Sequence, residues 1–305
     1  MTESSGVHRY KTGLAVAAVV IAVLALSFGD AVIKATGVSL PLWQMYILRS
    51  GLALPVLVVI LTKRNPGKLG SVFWISIRSA LLVLMWLCYY SALPLMPLSL
   101  AAAAYYTSPI FITILAAILS RKVPLLRIWV AIFLGFGGVM LILRPDTSGF
   151  QLVTVLPVLA AFLYASAMVL TSAKCRNDDP IVLAIALNIT FIVGGAILGF
   201  WSGKQGSFMF GPWAPLDMKL ISVIAILAGV IVIGSVGAAI AYQNGPPATI
   251  AAFDYTYLVF SLIWGAIFFA EFPGWISLSG IFVIVVAGLL ALPKKDTAKK
   301  PLLAF

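Results

Sequence analysis

Apolar stretches about twenty residues long follow one another along nearly the whole chain, separated by turns of a few residues. A helix needs about 20 apolar residues to cross the hydrocarbon core of a bilayer. The pattern therefore predicts ten membrane-crossing helices, at 13–35, 40–61, 71–93, 98–119, 127–143, 150–172, 180–201, 220–242, 248–270 and 275–292. Proline and glycine punctuate several turns between them, as at Asn65-Pro66-Gly67, Arg144-Pro145, Gly245-Pro246-Pro247 and Phe272-Pro273-Gly274. Such residues stop a helix. The fold class expected is all-α, a polytopic membrane bundle.

Composition agrees and narrows the choices. Of the 305 residues, 62% are hydrophobic and 10% charged, with a mean hydropathy of +1.12, where soluble domains carry roughly 25% charged residues. Ten spans use about 200 to 220 residues, which leaves no room for a separate soluble catalytic domain. A net charge of +11 would suit nucleic acid, but the basic residues are short flanks of apolar spans. Their role is topology and contact with anionic membrane lipid, so no nucleic-acid partner is expected. Cys88 and Cys175 have neither metal-site nor disulfide spacing, and His8 is the one histidine. No metal, no cofactor and no catalytic residue are expected, and the absence of a P-loop excludes ATP hydrolysis by this chain alone. The first apolar run, Leu14 to Phe28, ends at Gly-Asp without a small-x-small pattern and reads as a retained helix.

Lysine and arginine set the orientation. Fourteen of the twenty lie in the two tails and in the loops after the second, fourth and sixth spans; three lie in the opposite loops. That asymmetry places both termini in the cytoplasm.

Residues 105–124, YYTSPIFITILAAILSRKVP, align without gaps with 254–273, DYTYLVFSLIWGAIFFAEFP, at an offset of 149. Seven of the twenty positions match, among them Tyr106/Tyr255, Thr107/Thr256 and Pro124/Pro273. The fourth and ninth spans are then equivalent, and each half holds five. An odd number of spans per half makes the halves enter the membrane from opposite sides. Two inverted five-helix repeats of this kind mark secondary transporters, whose site lies near the midplane between the halves. The organisation expected is a cytoplasmic tail at 1–12, repeats at 13–144 and 145–293, and a basic cytoplasmic tail at 294–305.

With these features the chain resembles the drug/metabolite transporter superfamily with two EamA-type repeats. The resemblance rests on Lys34 late in the first span, Arg49 within YILRSGLAL, the stretch YYSALPLMPLSLAAAAYYTSPIF, and the closing GVMLILRP and GLLALPK. The segment AYQNGPPATIAAFDYTYLVFSLIWGAIFFAEFP looks like the branch that exports aromatic and other amino acids. Members often carry an acid closing the fourth span, as Glu271 closes the ninth; here Arg121-Lys122 stands there. The resemblance implies a path formed by spans 1, 3, 4, 6, 8 and 9 in a cell inner-membrane protein.

Ionisable groups inside spans cost about 2.5 to 3.5 kcal/mol on insertion scales, so each needs a reason. Asp30 and Lys34 stand four apart on one helix face and read as a self-neutralising structural pair or gate, or as a clamp for a zwitterion. Arg49, about 14 Å deep at 1.5 Å per residue, reads as a tie to backbone carbonyls of a neighbouring helix. Arg78, nearer a span end, reads as snorkelling to the interface. Asp254 shares a face with Tyr257, opposite the face of Tyr105 and Ser108 in the other repeat. Trp86, Tyr89 and Tyr90 recur late in the third span, Tyr164 lies mid-span in the sixth, and Tyr242 with Asn244 closes the eighth. A mid-membrane phenol needs a partner. The expected substrate contacts are Trp86, Tyr90, Tyr105, Ser108, Tyr164, Tyr242, Asn244, Asp254 and Tyr257. The expected function is secondary export of small organic solutes, foremost aromatic and other neutral amino acids, by alternating access. The alternatives are a lipid-carrier or drug translocase of the same superfamily and, more distantly, an intramembrane protease using Asp30 and Asp254. The oligomeric state, monomer or larger, is not legible in the sequence.

Overall fold

The computed structural model describes residues 11–36, 40–64, 70–92, 95, 98–144, 155–201, 203 and 209–292. The expected tails lie outside these residues, apart from Lys11 and Thr12. Twelve helices account for the described chain: α1 (Thr12–Thr36), α2 (Leu42–Thr62), α3 (Val72–Ala92), α4 (Leu98–Tyr105), α5 (Ser108–Ser120), α6 (Leu126–Leu143), α7 (Val155–Ala173), α8 (Pro180–Gly199), α9 (Met218–Asn244), α10 (Pro247–Asp254), α11 (Thr256–Phe269) and α12 (Trp275–Ala291). Among the described residues there is no strand. Among the described residues nine helical spans are long and apolar enough to cross a membrane, and α12 adds a shorter apolar helix. Large apolar side chains also cover the outside: Phe200 is 89% exposed and Phe282 69%. A helix apolar on its outer face is stable there only against lipid, so this is a multi-pass membrane protein.

Two of the ten expected spans are not continuous. The fourth is α4 followed by α5, and the ninth is α10 followed by α11. Both breaks fall on the repeated Tyr-Thr pair. Thr107 Oγ1 donates to the Ala104 carbonyl at 2.6 Å, and Thr256 Oγ1 donates to the Phe253 carbonyl at 2.7 Å. A hydroxyl that takes a carbonyl from the backbone ladder in this way competes with the helix. Pro109, which has no N–H, reinforces the first break. Both spans also end on a left-handed residue, Arg121 (φ 51°) and Ala270 (φ 54°), again 149 apart.

The most extensive helix contacts keep their pattern when the first five spans are exchanged with the last five, whereas the packing of α9 on α7 and α8 has no match in that of α3 on α1 and α2. Helix α1 lies on α9 and α11, as α7 lies on α3 and α5; α2 lies on α8 and α6 on α12. The α6–α12 contact depends on glycine. A Cβ added to Gly138 would stand 2.8 Å from the Gly280 carbonyl oxygen, and one added to Gly280 would stand 2.8 Å from that of Gly138. Only hydrogen fits between backbones this close.

Side-chain amides tie loops to helix ends. Gln44 on α2 donates to the Ala214 carbonyl and accepts from the Ala214 N–H, each at 2.8 Å, beside Trp43, whose indole donates to the Gly211 carbonyl at 2.9 Å. Gln243, near the end of α9, donates to the carbonyls of Cys175 at 2.6 Å and Asp178 at 2.9 Å. These bonds satisfy loop backbone that the helices cannot reach.

Three charged residues depart from expectation. Lys34 does not pair with Asp30; it forms an ion pair with Glu271, at 2.8 Å, and lies 4.3 Å from the Phe269 ring centroid. The tertiary fold brings the end of α11 to the end of α1 and overrides the local four-residue spacing. Arg78 does not snorkel. It is 1% exposed, its Nε donates to Thr171 Oγ1 at 2.7 Å, and an Nη1 contact reaches the Leu183 carbonyl at 3.4 Å. Among the described residues Nε and Nη2 of Arg49 meet no carbonyl, so the carbonyl tie expected of Arg49 is made by Arg78.

Candidate functional site

Asp254 is the last residue of α10, immediately before the break, and is 7% exposed. Its Oδ2 accepts from Tyr242 Oη on α9 at 2.7 Å and faces Tyr164 Oη on α7 at 3.4 Å. Its Oδ1 is buried and has no hydrogen-bond partner among the described residues. Ending α10 here leaves the carboxylate at a helix terminus, where two other spans deliver phenols to it.

A run of rings starts at this carboxylate. Tyr164 lies 6.0 Å from Tyr105 between centroids, Tyr105 lies 5.3 Å from Tyr89, Tyr89 lies 6.0 Å from Tyr90, and Tyr90 stacks on Trp86 at 5.1 Å. A branch leaves Tyr105 for Tyr106 at 5.9 Å, and Tyr106 meets Tyr257 at 6.3 Å. Tyr257 donates to Asp30 on α1. Tyr106 also meets its repeat counterpart Tyr255, at 6.2 Å.

Seven of the nine expected contact residues, Trp86, Tyr90, Tyr105, Tyr164, Tyr242, Asp254 and Tyr257, thus join one network, and they come from spans 3, 4, 6, 8 and 9 with Asp30 from span 1. Ser108 is buried at the start of α5, beside the break. Asn244 stands apart: its Nδ2 donates to the Ile240 carbonyl of its own helix at 2.8 Å. A polar side chain at a helix end serves the backbone first. Tyr106 and Tyr89 are the connectors that sequence reasoning left out of the contact set. The signal for Tyr106 was present, since it is one of the repeated positions.

Asp30 is exposed although it lies within a spanning helix. Most of the network's rings are half-buried, so the run is open to a solute on part of its length. Chemically the network offers aromatic faces, phenol hydroxyls and two carboxylates, one sealed and one open. Such a lining can stack a planar group and hold a cation or hydrogen-bond donor. Asp30 and Asp254 take their donors from different tyrosines, whereas an aspartyl protease dyad needs two carboxylates sharing a proton. Among the described residues no three histidine, cysteine or acidic side chains come together as a metal site would need.

Comparison with known proteins bears on these observations. A solved crystal structure superposes with a TM-score of 0.78 at 17% identity, covering 95% of this chain and all of that one, and shares the fold. The pseudopaline exporter of Pseudomonas aeruginosa is 26% identical over 282 residues, 91% of this chain and 94% of that protein. A riboflavin transporter of Brucella anthropi is 27% identical over 199 residues, 65% of this chain and 68% of that protein. The model of the EamA-like transporter family matches residues 13–144 of this chain.

Proposed function

We propose that this chain is a secondary exporter that moves a small amphipathic organic solute between two inverted five-helix repeats, 13–144 and 145–293, by alternating access. The carrying observation is Asp254, a carboxylate within the spans held by phenols from two other helices and continuous with a run of aromatic faces. A group buried at that depth is retained for a reason, and a solute's cationic or donor group at Oδ1 supplies one. The repeated Tyr-Thr breaks, the paired left-handed ends and the exchange of the most extensive helix contacts support the two-repeat reading. The lysine and arginine asymmetry supports an inner-membrane protein with cytoplasmic termini. Aromatic and neutral amino acids are one cargo class that the lining suits; pseudopaline and riboflavin, the cargoes named for relatives, are others.

The test is counterflow of labelled solutes by purified protein in liposomes, across phenylalanine, tryptophan, threonine, methionine, riboflavin and pseudopaline, with Asp254→Asn and Tyr105→Ala alongside. The reading expects saturable flux for at least one solute, reduced about tenfold or more in both variants, the size of losing a charge-assisted contact. Absence of saturable flux across the panel would sink it.

One observation favours a second reading, a lipid or drug translocase. An apolar cleft of about 460 Å³ opens between α1, α9 and α11, lined by Ile21, Leu24, Phe28, Val230, Ile233 and Trp264. Ile21 and Ile233 are exposed on the outside of the bundle, so a lipid tail could enter from the side. Movement of a fluorescent lipid analogue without solute counterflow would select this reading.

A further inference from the structure

The side chain of Arg49 is not used by anything described so far. It projects from α2, where its guanidinium carbon lies 4.8 Å from the ring centroid of Phe191 on α8 and 5.7 Å from that of Tyr46. Its Nε and Nη2 are buried and have no hydrogen-bond partner among the described residues. The same holds for Tyr46 Oη and Ser50 Oγ. Positions 46, 49 and 50 share one face of the helix. That face therefore carries a hydroxyl, a guanidinium and a hydroxyl, and among the described residues no acceptor meets Nε, Nη2 or either hydroxyl.

The fold can satisfy an arginine inside the bundle, as Arg78 demonstrates with Thr171 and Leu183. Leaving a buried cation with ring faces alone is costly, because aromatic quadrupoles replace only part of its hydration. The Arg49 side chain is also partly accessible, and it lies within charge–charge range of Asp30 and Tyr90, both members of the aromatic network. Yet Arg49 and Asp30 are not joined as an ion pair in the way that Lys34 and Glu271 are. Opposite charges held apart beside one aromatic lining leave the cation free to take a different anion.

We propose that Arg49 is the anion-binding residue of the path: it donates its free N–H groups to a carboxylate of the cargo, and the hydroxyls of Tyr46 and Ser50 complete the donor set. The cargo is then a solute that carries a carboxylate beside an apolar or aromatic body. The inference rests on the exporter reading only for the word cargo; the site itself is a matter of binding. The same donors suit the phosphate of an anionic lipid, and the test separates the two sources.

The experiment uses the full chain in nanodiscs of phosphatidylcholine and follows thermal unfolding while phenylacetate or phenylacetamide is titrated in. The two probes differ only in the anionic group. Wild type is expected to be stabilised by phenylacetate and at least about tenfold less sensitive to phenylacetamide, the discrimination a charge-assisted guanidinium fork provides. Arg49→Lys, which keeps the charge and loses the fork, is expected to abolish most of that preference. Tyr46→Phe and Ser50→Ala keep the arginine, and each is expected to reduce it a few-fold, which preserves the test if the lysine variant does not fold. Equal response to both probes, no response to either, or an unchanged preference in all three variants would overturn the proposal. Stabilisation by added phosphatidylglycerol that needs Arg49, with none by phenylacetate, would overturn the cargo assignment in favour of a lipid headgroup. Counterflow can fail while this preference survives, and the preference can fail while counterflow survives, so the two readings fall separately.

Discussion

Arg78 and Arg49 bring the same side chain into the same bundle and meet different surroundings. Around Arg78 the fold supplies a hydroxyl from α7 and a carbonyl from α8, and Thr171 in turn passes its own proton to the Ala167 carbonyl at 2.7 Å. Nε and Nη1 of the arginine and the Thr171 hydroxyl each have a partner. Around Arg49 the fold supplies aromatic faces and two further unsatisfied hydroxyls. The count of donors and acceptors distinguishes the two residues. A structural arginine is recognised by a closed account of its N–H groups, and a binding arginine by an open one.

That contrast makes the two residues respond oppositely to replacement. Arg78→Met should cause the largest loss of stability, about 3 kcal/mol, because Thr171 and the Leu183 carbonyl would lose a charged donor in a dry environment; thermal unfolding in a fixed detergent measures it. Thr171→Val should lose about half as much, since the arginine keeps its second contact. Arg49→Met should stay within about 1 kcal/mol of wild type or gain stability, because an unsatisfied cation is exchanged for an apolar chain of similar volume. If Arg49→Met costs as much as Arg78→Met, the distinction between them is wrong. The smallest effect belongs to Glu271→Gln: it breaks a contact whose partners are 57% and 59% exposed, and pairs of that kind are worth about 0.5 kcal/mol in stability.

Much of the fold was legible in the hydrophobic pattern, because crossing a bilayer imposes a length that few other constraints imitate. Where described, all ten apolar runs are helical, with ends within a few residues of expectation; the expected start of the sixth, 150–154, lies outside the described residues. The breaks in the fourth and ninth spans were not read. Both segments are apolar throughout, and a threonine that bonds back to its own helix leaves no trace in hydropathy. The Tyr-Thr pair was nevertheless singled out as a repeat before its mechanical meaning was visible. The charged residues were read least well. Spacing along one helix suggested Asp30 for Lys34, but the partner is Glu271, 237 residues away. Counting residues from a span end suggested that Arg78 snorkels and Arg49 ties helices together, and the structure reverses the tie. Such assignments depend on which neighbour faces a side chain, and one chain's periodicity does not encode that. The aromatic residues fared better, since a phenol in lipid must find a partner wherever the fold puts it.

The ion pair between Lys34 and Glu271 has a consequence for the medium around the protein. At the corresponding place in the first half stands Lys122, next to Arg121, so one end of the repeat carries an acid where the other carries bases. A contact so open to water is screened by dissolved ions within about 8 Å at physiological ionic strength. Its hold on α1 and the end of α11 therefore weakens in brine and strengthens in dilute medium, and only the compartment that bathes this end exerts that influence. Proteoliposomes given unequal sodium chloride inside and out should then turn over at a rate set by the salinity on one side, and Glu271→Gln should make them indifferent to it.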